Sequence, residues 1–360
     1  MRLNSLVGVP YPRGGEPDLM LKKDIYIDSL TTSTWYDVRK DLYSDIFQIT
    51  PLFDMLMEKG KIKKRAPKGS YFEIPIAYKK LDHNVKFFTR GAEFSREEGE
   101  FATRLQYDIK NFGDSITRFW KDEKENRSEA QILDYIEEVI QNHKSSMMEA
   151  LAKSLWVSGG VSAINTLPEL ISTTPSTGTV GGLDRAKNPY VRNVAQNFAT
   201  LGGSGSSTMS EDRIANSLLY RMENMYNTLS NLKGGMARRT VDLIITTQSI
   251  YERYVGLARA LGNYEINPAV AKTRQVNLGM GDAMFKNAEM YYDPDCPDEH
   301  MYFLNTDTLE FCYDPDYWMM MTEWKSEATT LERYAQVVSC CNLICNNFNK
   351  NGVMYNVKGN

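Results

Sequence analysis

A chain of 360 residues exceeds what one hydrophobic core usually organises, so two cores, or one core with long extensions, are expected. Its composition, 42% hydrophobic and 24% charged, is globular and excludes a disordered chain. A formal net charge of -4 excludes capture of nucleic acid over the whole surface, though not its enclosure inside a shell.

The opening MRLNSLVGVPYPRGG lacks the apolar core of a signal peptide, and no stretch approaches the ~18 apolar residues of a membrane span. Folding in a cytoplasm is therefore expected. The first thirty or so residues, with Pro10, Pro12 and Pro17, show no periodicity and read as an extended arm. Trp35, Val38, Leu42, Ile46 and Ile49 stand at helical spacing, and Pro51 opens a second short helix closed by Gly60.

The basic, turn-rich KIKKRAPKGS follows. YFEIPIAYKK then alternates, with Phe72, Ile74, Ile76 and Tyr78 on one face, and Pro75 places that strand at an edge. After a charged stretch ending in SREEGE, FATRLQYDIKNF alternates again, and Gly113 and Asp114 lead into SITRFW. Residues 61–120 thus read as long β-hairpins projecting from a body. Such a hairpin buries little alone and is stable only when it lies on something else.

The longest helix comes next. Ser128 and Gln131 form a capping box, and Ile132, Ile136, Val139, Ile140, Met147, Leu151 and Leu155 keep one apolar stripe down to Trp156 before Gly159 and Gly160. Residues 128–156 as one helix would be about 42 Å long, and the stripe needs a sheet to cover it. Residues 158–209 are loop-rich. A helix from Ser210 carries Ile214, Leu218, Met225, Leu229 and Leu232. TVDLIITT reads as a strand buried on both faces and leads into the helix SIYERYVGLARAL. Short strands follow in DAMFKNAEMYYD, HMYFLN and the run from Leu331 to Val357. The fold class is α+β.

The candidates for chemistry are few. Cys340, Cys341 and Cys345 lie in VVSCCNLIC, a buried strand; Cys340 and Cys341 point to opposite faces and cannot easily share a metal. YYDPDCPDEH gathers Asp293, Asp295, Cys296, Asp298, Glu299 and His300, which keeps a metal-dependent enzyme open as an alternative. Pro294 and Pro297 make a solvated hairpin tip the preferred reading there. LGMGDA, with Gly279 and Gly281, lacks the third glycine and preceding strand of a dinucleotide loop. Three histidines, His83, His143 and His300, stand near no nucleophile motif. Lys61, Lys63, Lys64, Arg65 and Lys68 read as a solvated turn or subunit contact ahead of a nucleic-acid site, because no aromatic residue is interleaved. Met319, Met320 and Met321 beside Trp318 and Trp324 read as adaptable packing.

Four segments in order carry a family resemblance: PLFDMLMEKGKIKKRAPKGSYFEIPIAY; INTLPELI with GTVGGLDRAKNPYVRN; DLIITTQSIYERY; and MYFLNTDTLEF. With the long helix between the first and second, the chain resembles major capsid proteins of tailed bacteriophages, whose Hong Kong 97-type shell fold encapsulins share. The family often has a tryptophan where NPYVRN carries Tyr190 and Val191. The resemblance implies an N-terminal arm with short helices over 1–60 and an extended β-hairpin loop over 61–120. It implies a peripheral domain over 121–209 and 319–360, and an inserted axial domain over 210–318. Gly181, Gly182, Asp184, Arg185, Asn305 and Leu309 match its structural motifs.

The implied function is a head protein that self-assembles, as hexamers and pentamers, into an icosahedral shell around phage double-stranded DNA, in the bacterial cytoplasm and then in the virion. An encapsulin-like compartment is the nearest alternative. No catalysis, cofactor, metal or membrane is implied. A portal and a separate scaffolding protein are expected partners, with no large N-terminal cut. Residues 1–30 and 71–110 are expected to owe their order to neighbouring subunits, through the face of Phe72, Ile74, Ile76 and Tyr78 and through charges such as Arg90, Glu97 and Glu98.

Overall fold

The computed structural model describes residues 27–36, 50–66, 69–78, 87, 102–119, 129–160, 162–198, 218–230, 241–260, 283–326 and 332–358. The chain divides into two compact units. Met1–Ile49, Asn111–Leu151 and Asp316–Cys340 make the first; Thr50–Lys110, Ala152–Pro315 and Cys341–Asn360 make the second.

In the first unit, helix α1 covers residues 27–36. This corrects the sequence reading, which left 27–30 in the arm and began a helix near Trp35; residues 37–49 lie outside the described ones. Ile27 and Trp35 are buried, and the Trp35 indole donates to the Met319 carbonyl at 3.2 Å, so a large apolar body is buried without orphaning its N–H. Trp318, Met319 and Met321 are buried here too, as packing. Strand β4 (Lys110–Phe119) pairs with β15 (Glu332–Cys345). Their closeness at Gly113 is extreme: a Cβ there would stand 2.6 Å from the Val337 carbonyl oxygen. Helix α3 (Glu129–Ser154) is unbroken, as its stripe predicts, and buries Ile140, Met147 and Leu151.

Two arginines of this unit share one carboxylate. Arg118 and Arg333 both bind Asp28, the latter at 2.6 Å, and the Arg118 guanidinium lies 4.3 Å from the Trp324 ring centroid. A buried cation is tolerated only with such partners.

The second unit is larger. Its main sheet runs β7 (Val194–Asn197), β16 (Gly352–Tyr355), β11 (Met301–Leu304), β8 (Leu243–Thr246), β10 (Ala288–Tyr292), β9 (Ala283–Phe285). Strand β8 is central and buried throughout, as LIIT predicts. Helices α5 (Leu218–Ser230) and α6 (Gln248–Ala260) cover one face, where Leu218, Met222, Met225 and Leu229 pack with Ile244, Met290 and Phe303. Residues 210–217 and Leu232 of the expected helix lie outside the described ones. On the other face Trp156 packs on Tyr302, ring centroids 5.4 Å apart.

The C-terminal half of β15 pairs antiparallel with β12 (Leu309–Tyr313), and β12 pairs in parallel with β1 (Ile62–Lys64). Here part of the basic run, Ile62–Lys64, proves to be a strand and not a turn. Glu310, 6% exposed, holds Lys63 at 2.6 Å and Arg65 at 3.3 Å, and Lys61 meets Asp307 at 3.2 Å. The register explains it: parallel pairing sets the alternating cations of β1 beside the carboxylates at the start of β12.

Candidate assembly interface

Strands β2 (Tyr71–Ala77) and β3 (Ala102–Asp108) form a separate two-stranded antiparallel sheet, the hairpin the alternation predicts. Strands β1 and β4, at the ends of the 61–120 stretch, join the β15 sheet instead. The hairpin has two unlike faces. Phe72, Ile74, Leu105 and Tyr107 are buried within this chain, while Tyr71, Pro75, Ala77, Ala102, Arg104, Gln106 and Asp108 are exposed. Ile76 and Tyr78 are half-buried. The expectation that the whole Phe72–Tyr78 face stays partly exposed on a single subunit therefore fails at Phe72 and Ile74, because the body itself covers the root. Arg90, Glu97 and Glu98 lie outside the described residues.

Pro75 costs the ladder nothing. The Gln106 N–H points away from β2, to the Gly181 carbonyl at 3.0 Å, and Gln106 stands opposite Glu73. Outward positions recur every second residue, so Pro75, opposite Arg104, is also outward. Its missing N–H blocks further strand addition along the β2 edge.

The root of the hairpin is fastened from several sides. The Tyr107 hydroxyl donates to the Cys345 carbonyl at 2.7 Å, and the Asn342 amide to the Asp108 carbonyl at 2.7 Å. Burial pushes the Tyr107 phenol well above its usual value, so it stays a neutral donor. Tyr78 stacks on Tyr190, centroids 4.6 Å and planes 22° apart. Gly181 and Gly182, at φ +55° and +77°, turn between β5 (Thr179–Val180) and β6 (Leu183–Asp184).

The other motif residues also act within the chain. Arg185, 2% exposed, donates to the Glu169 and Leu170 carbonyls at 2.8 and 2.9 Å, tying the end of the short helix α4 (Leu167–Leu170). Asp184 accepts from the Ala186 N–H at 2.9 Å. Asn305 accepts from the Asp307 N–H, and its own N–H goes to the buried Asn351 amide oxygen at 2.8 Å. Asn351 in turn donates to Thr308 at 2.8 Å, and Thr306 binds Asp242, which also pairs with Lys59. Leu309 is fully buried at the start of β12. Asn351 and Asp242 had no signal in the sequence, since the partners at 305–308 that they hold lie far along the chain.

These elements can now be set beside known proteins. No family model matches the sequence, and no curated protein matches it. Among solved structures, the chain is similar to the capsid of cyanophage A-1(L), at TM-score 0.60 and 14% identity over 83% of this chain and 90% of that one. It is also similar to the capsid of a native GTA particle, at TM-score 0.52 and 9% identity over 83% and 89%. The SrpI encapsulin complex of Synechococcus elongatus PCC 7942 is similar too, at TM-score 0.51 and 8% identity over 87% and 89%. The chain has the Hong Kong 97-type capsid fold. At such identities the shared property is the path of the backbone.

The acidic segment does not present itself as a ligand set on this capsid fold. Residues 293–300 do not cap a hairpin: β10 and β11 lie on opposite sides of β8, and the segment connects them. Asp293 and Cys296 are 2% and 5% exposed while Asp295, Asp298 and Glu299 stay exposed, so the solvated reading from the prolines fails at the two buried side chains and holds at the others. Burial raises the Asp293 carboxyl above the usual range, opposed by the Trp156 indole and the Asp295 N–H, and burial also raises the Cys296 thiol. Among the described residues no three His, Cys, Asp or Glu side chains group as a metal site, and no helix is long and apolar enough to cross a membrane. Gly279 and Gly281 lie outside the described residues, as does Lys68.

Proposed function

We propose that this chain is the major capsid protein of a tailed bacteriophage, assembling with copies of itself into an icosahedral shell around double-stranded DNA. The observation that carries the reading is the β2–β3 sheet on a Hong Kong 97-type fold: a two-stranded hairpin, separate from the larger sheets, whose described strands are fastened to the body. A hairpin of this kind is marginal alone, and in a closed shell one self-complementary contact is multiplied by symmetry. On this reading Ile76, Arg90, Glu97 and Glu98 face a neighbouring subunit, while Tyr78 is engaged by Tyr190 of its own chain, the charges setting partner and register more than affinity. The axial domain, residues 210–318, is organised on β8, β10 and β11, with β7 and β16 completing its sheet from flanking segments.

A portal and a separate scaffolding protein complete the proposed partners, with assembly in the bacterial cytoplasm and final location in the virion. The proposed role is structural; of the acidic segment that an enzyme reading would use, Asp293 and Cys296 are buried and Asp295, Asp298 and Glu299 are exposed. An encapsulin-like compartment has the support of the SrpI likeness. Purified protein is expected to form MDa particles by light scattering, and a small oligomer under all assembly conditions would sink both shell readings. Nucleic acid inside particles from the native source supports a phage head; a cargo enzyme in its place supports the compartment.

A further inference from the structure

The hairpin leaves the body at a place where several segments meet it. On β3, a Cβ added at Gly181 would stand 2.8 Å from Leu105 Cδ2 and 3.1 Å from Leu105 Cβ. Leu105 is fully buried and its Cβ is carried by the strand itself, so a side chain at 181 presses on the strand by a few tenths of an ångström as well as on the leucine tip. The Gly181 carbonyl also takes the Gln106 N–H at 3.0 Å. On β2, the Arg65 guanidinium donates to the Glu73 carbonyl at 3.0 Å, and just past the strand Tyr78 lies flat on Tyr190. Both strands are therefore held, each by a different segment of the body.

We infer that Gly181 and Tyr190 are positioning residues, which fix the direction of the hairpin and through it the curvature at which subunits close; this rests on the shell reading above. The lever argument gives the scale. Twenty-four residues, 78–101, separate the two strands, so each arm of the loop reaches at most about 40 Å at ~3.3 Å per residue. A tilt of about 5° at the root then displaces a tip at that reach by about 3.5 Å, enough to lose hydrogen-bond register with a neighbour. Glycine at 181 is the condition for the present angle, since it supplies both the left-handed backbone and the missing Cβ.

A matched glycine separates contact from backbone strain. Gly178 has φ +85°, but a Cβ there meets nothing within 4 Å. The full-length chain would be prepared as wild type, Gly181→Ala, Gly178→Ala, Tyr190→Ala and Tyr190→Phe. Amide exchange at Gln106 would be followed in unassembled subunits, and particle diameters measured by electron microscopy. Gly181→Ala and Tyr190→Ala are expected to speed Gln106 exchange on the order of tenfold and to shift or broaden the diameters. Gly178→Ala and Tyr190→Phe are expected to match wild type in both readouts. Equal effects of Gly181→Ala and Gly178→Ala would overturn the inference, since strain alone would then suffice. Faster exchange with unchanged diameters would overturn it too, because the root would be held without governing the shell. Wild type that forms no particles at all sinks the shell reading, whatever Gln106 does.

Discussion

Two sheets of the second unit differ in how they are made stable. The six-stranded sheet around β8 is covered on both faces, by α5 and α6 on one and by Trp156 on the other. The β2–β3 sheet has two strands and one covered face. The first sheet carries its own core. The second borrows the body at Phe72, Ile74, Leu105 and Tyr107 and presents a polar lattice, Glu73, Arg104 and Gln106, on its other side. One chain thus contains a region whose order is internal and a region whose order depends on what it lies against. Local opening should therefore be easier in the second sheet than in the first.

The largest expected effect strikes the self-sufficient sheet. Phe303→Ala, at a fully buried site of β11, should cost about 3–5 kcal/mol of unfolding free energy, measured by denaturant titration. Phe72→Ala deletes the same volume from the hairpin. A smaller global loss is expected there, with exchange rising chiefly in 71–77 and 102–108, because that sheet can open without the core. Equal global losses would mean that the two sheets form one cooperative unit. Ile74→Asp, which an exposed interface would tolerate, should now disorder the hairpin root, since Ile74 is 7% exposed.

Asn351→Ala tests the joint between β11 and β12. It strands the Asn305 N–H and removes a donor from Thr308, so a loss of about 1–3 kcal/mol is expected by the same titration. Acid–base linkage gives a smaller effect. Burial holds the Asp293 carboxyl above its unfolded value, so its favourable contribution is complete below the unfolded value and is lost as pH rises through the folded one. Asp293→Asn should therefore raise the melting temperature at pH 7 more than at pH 4; a gain confined to pH 4 would contradict the direction of the shift.

The smallest effect is one of reactivity. Burial pushes the Cys312 and Cys345 thiols up to about 12, and Cys341 is fully buried, whereas Cys340 is only half-buried beside Asn111. A thiol reagent at pH 8 should label Cys340 first. Rapid labelling of Cys345 would show that β15 opens readily in the folded subunit.

The period of apolar residues determined much of this protein by itself. Alternation marked β2 and β3, an unbroken stripe marked the long helix at 129–154, and a short apolar run marked β8 as buried on both faces. These signals are local, and burial of one face demands them wherever the element lies. Gly181 and Gly182 were marked only by the family resemblance; their left-handed backbone appeared with the structure. What lies far apart in the chain was not legible. The basic run from Lys61 reads as a turn until Glu310, some 250 residues on, is brought beside it in a parallel register. Asp293 and Cys296 read as solvated until β8 is placed between the strands that their segment connects. Phe72 and Ile74 read as free until Leu105 and Tyr107 stand opposite and the body closes over them. A sequence sets which side chains must be covered; only the tertiary structure decides by what, because loop closure lets partners of any separation meet at a free-energy cost that grows slowly with the length between them.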